Sequence, residues 1–189
     1  MRNLRCAVAV GMLGWSSTLG AQDVVQFGSH YYERVEAQLT WFQAEAAAEN
    51  LFFLGIAGHL ATINSQAEND FVLSMFLGEP VGSGYRWLGG FQTPGSAEPG
   101  DGWRWVTDES FSFTNWVAGE PNNVGNDENF LSFHAGDPLN VPGEWNDLPN
   151  DAGVSIGGAL PSSFVVEFDT PPGYRDAGTS DIGPRCNRS

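Results

Sequence analysis

Glu120-Pro121-Asn122, Glu128 and Trp145-Asn146-Asp147 bring carboxylate and carboxamide side chains together in two short stretches of the chain. Five of these side chains, those of Glu120, Asn122, Glu128, Asn146 and Asp147, carry oxygens suited to a single hard cation. Calcium takes about 6–8 oxygen ligands at roughly 2.3–2.6 Å in a tolerant geometry. A backbone carbonyl near Asp147 would add one more, leaving one or two positions open to water or to a ligand. Cys and His do not stand at the spacing that zinc sites require.

The alternation of acid and amide has its own chemistry. A sugar hydroxyl both donates and accepts, whereas an ionised carboxylate only accepts and the Asn amide nitrogen only donates. With a vicinal diol on the cation, one hydroxyl donates to Glu120 and accepts from Asn122, and its neighbour does the same with Glu128 and Asn146. These bonds are charge-assisted and correspondingly short and strong. The footprint is one sugar edge, so a lone monosaccharide binds weakly and useful avidity needs several sites in an oligomer engaging a branched glycan.

Each stretch taken alone has a plainer reading. Gly119-Glu120-Pro121-Asn122-Asn123 is an ordinary turn composition, and Trp145-Asn146-Asp147 reads as a core Trp followed by a polar bend. Their joint presence with Glu128, in a chain with only 16% charged residues, favours a metal site.

The elements that must hold these residues are legible in part. Thr40-x-x-Gln43 and Ser65-x-x-Glu68 have the form of capping boxes, in which hydroxyl and third-position side chain satisfy each other's backbone donors. Behind the first, Trp41, Ala44, Ala48 and Leu51 recur at helical spacing, and behind the second Phe71, Val72, Met75 and Phe76 do. From residue 80 onward the pattern changes to short apolar strands, Tyr85 to Leu88, Trp103 to Val106, Phe130 to Phe133 and Phe164 to Phe168, with Trp103 and Trp105 on one face. Helices first and antiparallel strands after is an α+β signature. Phe91 to Gly102 and Val117 to Asn129 read as long irregular loops, uncommon unless functional, and the second holds candidate ligands.

In order along residues 25–170 stand Thr40-Trp41, Gly58-His59-Leu60-Ala61-Thr62-Ile63, Trp87-Leu88-Gly89-Gly90, Trp103-Arg104-Trp105, Asn115-Trp116, Glu120-Pro121-Asn122, Trp145-Asn146-Asp147 and Val166-Glu167-Phe168. With these landmarks the chain resembles a C-type lectin domain. The resemblance implies a C-type lectin-like fold, two helices packed on antiparallel sheets with a long calcium-binding loop region. It implies calcium as cofactor, held by Glu120, Asn122, Glu128, Asn146 and Asp147. It also implies a cis peptide at Glu120-Pro121 and a mannose-type preference for sugars such as mannose, fucose and glucose. Where many members place a second calcium on acidic side chains, this chain has Asn123 and Asn129, which allow at most a weak second site. The family's usual four cysteines are absent, their places taken by Ala48, Phe130, Asn150 and Val166, as in disulfide-free prokaryotic members.

Composition narrows the partners. The chain of 189 residues has no Lys and eight Arg, and a formal charge of -15. Nucleic acid, which needs clustered basic residues, is excluded as a partner. Residues 1–21, with Arg2, Arg5 and an apolar run from Cys6 to Leu13, read as a secretory signal peptide too short to span a membrane. Its removal leaves six bases against 23 acids, a formal charge of -17, and places the protein outside the cytoplasm. Residues 24–170 are then the domain and 171–189 a flexible tail with the one remaining thiol, Cys186. His30, His59 and His134 are scattered along the chain, and no nucleophile with an attendant base can be named, so the chain is not read as an enzyme. The alternative is a domain of this fold that binds proteins or a surface such as ice rather than sugar.

Overall fold

The computed structural model describes residues 24–78, 84–134, 143–153 and 158–170. Residues 1–21, read as a signal peptide, residues 171–189, read as a tail, and with them Cys6 and Cys186 lie outside the described residues.

The chain opens with a hairpin, β1 (Val25–Phe27) and β2 (His30–Glu36), before α1 (Trp41–Glu49). Three short strands follow, β3 (Phe52–Phe53), β4 (Ile56–Ala57) and β5 (His59–Leu60), then α2 (Gln66–Ser74). The remainder is β6 (Tyr85–Gln92), β7 (Trp103–Trp105), a 3-10 turn (Val124–Asn126), β8 (Phe130–His134), β9 (Trp145–Leu148) and β10 (Ser163–Asp169). The α+β class and the C-type lectin-like fold are as expected, but strands flank the helices on both sides. The opening hairpin was missed: β1 pairs with β2 locally, Phe27 opposite His30, but the longer ladder of β2 is not local. β2 gains its ladder from β10, more than a hundred residues away, with Ser163 opposite Glu36 and Asp169 opposite His30.

The main sheet runs β1-β2-β10-β6-β8-β9, with β5 added to β10 and β7 to β6. It is not wholly antiparallel, since β10 and β6 pair in parallel. Successive side chains of a strand face opposite ways, and on β10 this divides the core. Phe164, Val166 and Phe168 join Trp41, Ala44 and Ala48 of α1 on one face, while Val165 joins Val72 and Phe76 on the other. The paired glycines of Trp87-Leu88-Gly89-Gly90 are explained by close approach. A Cβ at Gly89 would lie 2.5 Å from the Leu60 carbonyl oxygen, and one at Gly90 2.7 Å from the Leu131 side chain.

The first capping box forms as read, with Gln43 N donating to Thr40 Oγ1 and Thr40 N to Gln43 Oε1. The second forms by half. Glu68 N donates to Ser65 Oγ, but the Glu68 carboxylate instead accepts from Asn64 N at 2.7 Å and from the Tyr32 hydroxyl at 2.6 Å. The helix is thereby tied to β2. At two of the places that resemblance assigns to cysteines, Ala48 and Val166 are fully buried together. At the others, Phe130 stacks near Trp41 with ring centroids 4.7 Å apart, and Asn150 receives Trp41 N on its carbonyl and Phe42 N on its side chain. Packing and helix-end hydrogen bonds thus connect the segments that disulfides would join.

Candidate functional site

β9 is the fixed half of the site. Trp145 is fully buried and its indole N–H donates to Asn69 Oδ1 of α2 at 2.9 Å. Its backbone N–H donates to Asn115 and its carbonyl accepts from Val117, so the loop that starts at Val117 leaves from this strand. With Trp145 buried, strand alternation turns Asn146 to the opposite face and returns Asp147 to full burial.

The loop is the other half. The Glu120-Pro121 peptide is cis, as the resemblance implied. Asn122 N donates to Asp147 Oδ1 at 3.1 Å and Asn123 N to Asp147 Oδ2 at 2.8 Å, so one buried carboxylate holds two consecutive loop amides. Asn123 then turns into the left-handed region at φ 49°, a conformation Asn tolerates, and the 3-10 turn follows. Val124 N sits between Asn122 Oδ1 at 3.0 Å and Glu128 Oε2 at 2.6 Å, and Glu128 N donates to Asn123 Oδ1 at 3.1 Å. These bonds bring Asn122, Glu128 and Asp147 around one loop backbone, with Glu120 against Asp147.

The electrostatics of this cluster are unfavourable as they stand. Loss of water pushes the Glu120 carboxyl up to about 7, and the adjoining Asp147 and Glu128 carboxylates push in the same direction, with Asn122 opposing. Burial likewise pushes Glu128 up to about 7, opposed by the Val124 N–H and assisted by Asp147 and Asp127. Glu120 Oε2 and Asn146 Oδ1 are shut off from solvent without a hydrogen-bond partner. Buried acceptors without donors are costly, and crowded carboxylates call for positive charge. An all-oxygen set with spare lone pairs fits calcium.

The other two Asn side chains have different surroundings. Asn123 is committed to the loop through Glu128 N. Asn129 lines an apolar cleft of about 610 Å³ with Trp41, Phe42, Phe91 and Phe130. Sequence reasoning also missed a polar cluster. The histidines that read as scattered are not all so in space, since His30 and His59 both reach Asp169. Only strand pairing brings them there, and no local signal in the sequence announces it.

A family model described as "Lectin C-type domain" matches residues 37–151. The chain belongs to the C-type lectin domain family. Its likeness to ladderlectin of Oncorhynchus mykiss is 30% identity over 140 residues, 74% of this chain and 64% of that protein. Halomucin of Haloquadratum walsbyi is 29% identical over 160 residues, 77% of this chain and 2% of halomucin. The C-type lectin domain thus spans less than two thirds of the length of these relatives. The crystal structure of the C-type lectin CEL-I from Cucumaria echinata superposes with a TM-score of 0.63 at 20% identity, covering 78% of this chain and 96% of that one, a likeness of fold. Members of this family are binding domains rather than enzymes. Among the described residues no helix of this C-type lectin domain is long and apolar enough to cross a membrane.

Proposed function

We propose that this C-type lectin domain is a calcium-dependent carbohydrate binder with mannose-type preference, exported from the cell and acting on glycans. The observation that carries the reading is the pair of orphaned oxygens, Glu120 Oε2 and Asn146 Oδ1, in a cluster with three carboxylates. Glu120, Asn122, Glu128, Asn146 and Asp147 would hold the ion, and the proposed ligand set stops at those five side chains. Bound calcium would supply a charge centre for two neighbouring sugar hydroxyls.

The residues themselves divide the remaining work. Asn122 Oδ1 is already engaged by Val124 N and the Asn122 side chain also bonds the Glu120 carboxylate, so its amide nitrogen is the donor of the set while Glu120 and Glu128 accept. That pattern suits a diol whose hydroxyls each donate once and accept once. Asp147, with both oxygens on loop amides, orders the loop that carries Glu120, Asn122 and Glu128. The family membership supports the binding class, and the Glu-Pro-Asn sequence supports the mannose type.

Calorimetric titration of calcium into metal-free protein, followed by mannose and by a branched mannose glycan, tests both steps. Saturable calcium uptake followed by chelator-sensitive glycan binding is expected, weak for the monosaccharide and stronger for the branched ligand. Asn146→Ala should weaken calcium and sugar together. A folded, calcium-saturated protein that binds no glycan on an array would overturn the sugar reading and leave a protein or surface ligand in its place.

A further inference from the structure

We propose that His30, Glu167 and Asp169 form a binding site for a transition-metal ion of the zinc class, positioned by His59 at the edge where β2 meets β10. The proposal does not use the loop or its calcium.

The site follows from strand register. Asp169 lies directly opposite His30 and Glu167 opposite Tyr32 in the antiparallel β2–β10 pair, while β5 places His59 opposite Glu167 on the other side of β10. Glu167 and Asp169 are two residues apart and so share a face of the strand. One ring nitrogen, His30 Nδ1, faces Glu167 Oε1 at 2.6 Å and Asp169 Oδ1 at 2.7 Å. One ligand atom from each of the three residues lies within 4.8 Å of the others.

The chemistry of this set is that of zinc rather than calcium. Imidazole nitrogen with carboxylate oxygens suits zinc and its neighbours in the first transition row, whereas calcium takes oxygen alone. At metal–ligand lengths of about 2.0–2.2 Å, tetrahedral ligand atoms stand roughly 3.3–3.5 Å apart. The two His30–carboxylate contacts therefore need to open by less than about 1 Å to exchange the shared proton for an ion. On binding, the His30 Nδ1–H bond breaks, the proton passes to buffer, and the nitrogen lone pair goes to the metal.

The oxygens that would not bind the metal are already held. Glu167 Oε2 accepts Thr62 N at 2.9 Å and Thr62 Oγ1 at 3.1 Å, and Asp169 Oδ2 accepts His59 Nε2 at 3.2 Å. His59 Nδ1 faces the Leu60 carbonyl at 2.9 Å, so both of its ring nitrogens donate, and the ring serves as a positioning group rather than a ligand. Such outer partners orient metal ligands. The entrance is open, because the His30 and Asp169 side chains keep 34% and 45% of their exposure while Glu167, at 1%, forms the floor.

The test is titration of the calcium-saturated full chain, with Cys6 and Cys186 changed to Ser, using Zn(II) by calorimetry and Co(II) by its visible absorption. One saturable equivalent is expected, resistant to excess calcium and showing nitrogen ligation in the Co(II) spectrum. His30→Ala and Asp169→Asn should each abolish it, and His59→Gln should weaken it by about 10- to 100-fold. Calcium and sugar binding should be unchanged in all three, so the outcome is separable from that of the proposed lectin site. Absence of a saturable equivalent in the cysteine-free parent protein overturns the proposal, as does uptake that survives His30→Ala and Asp169→Asn in folded protein.

Discussion

Asp147 Oδ2 accepts the backbone N–H of Asn123 at 2.8 Å, so a fully buried carboxylate on β9 fixes the middle of a loop that precedes it by some two dozen residues. With Asn122 N on its other oxygen, Asp147 is the hinge between strand and loop. A residue placed in the sequence as one ligand among five thus has a prior role in folding the site.

Asp147→Asn replaces one acceptor oxygen by a donor that faces a loop N–H. A buried donor left unpaired costs about 1–3 kcal/mol, so a loss of that size is expected in chemical denaturation of the metal-free protein. Calcium affinity should fall at least tenfold. Hydrogen exchange at Asn122 to Val124 should accelerate, and unchanged protection there would remove Asp147 from the hinge role.

Exchanging donor and acceptor at one hydroxyl tests the sugar geometry. Glu120→Gln with Asn122→Asp conserves the oxygens available to calcium but reverses the pattern offered to the diol. The ranking on a glycan array should move from mannose-type toward galactose-type sugars with calcium still bound. An unchanged ranking would reject the donor and acceptor assignment.

The raised Glu120 and Glu128 carboxyls predict opposite pH responses with and without metal. Both move from an ordinary 4.5 to about 7 in the metal-free fold, so the folded state holds their protons more tightly than the unfolded state. Their contribution to stability is full below about 4.5 and is lost as pH rises through about 7. Calcium needs the ionised forms, so its affinity should drop as pH falls from 8 to 6, with proton release on binding near neutrality. Calorimetry in buffers of different ionisation enthalpy measures that release, and a pH-independent affinity would contradict it.

Trp145→Phe keeps an aromatic ring against Trp105 and Trp116 but removes the donor to Asn69 Oδ1. The orphaned amide oxygen and the lost ring volume should cost about 1–3 kcal/mol. Asn69→Ala in the same background separates the two causes. Because Asn69 Nδ2 also donates to the Gly143 carbonyl at 3.0 Å, Asn69→Ala has a cost of its own, and the double variant should lose less than the two single variants together if the Trp145–Asn69 bond carries the effect.

The sequence exposed those parts of the fold whose causes are local. The helix that begins at Trp41 shows in a capping box and a run of apolar residues, and β7 shows in the Trp103-Arg104-Trp105 alternation, both tryptophans buried and Arg104 exposed. Glu120, Asn122, Glu128 and Asp147 could be grouped because their types share a chemistry, and in the fold Asn122 and Glu128 bond one stretch of loop backbone that Asp147 also holds. Glu68 misled because its carboxylate had two possible partners, the cap and Tyr32, and tertiary contact decided between them. β2, the parallel β10–β6 pair and the meeting of His30 and His59 at Asp169 depend on register between distant segments. Nothing within ten residues of any of them encodes it.

The pairing of His30 with Asp169 has a mechanical consequence. The start of β2 lies beside the end of β10, but β1 folds back on β2 with Val25 opposite Tyr32, so tension drawn through both flanks reaches the β1–β2 pair before the rung that joins His30 to Asp169. The ionic cluster sits on the end rung of the β2–β10 ladder. That cluster would therefore be loaded only after β1 has peeled away, and the Val117–Asn129 loop, held by Asp147 on another strand, would be spared the early steps of unravelling.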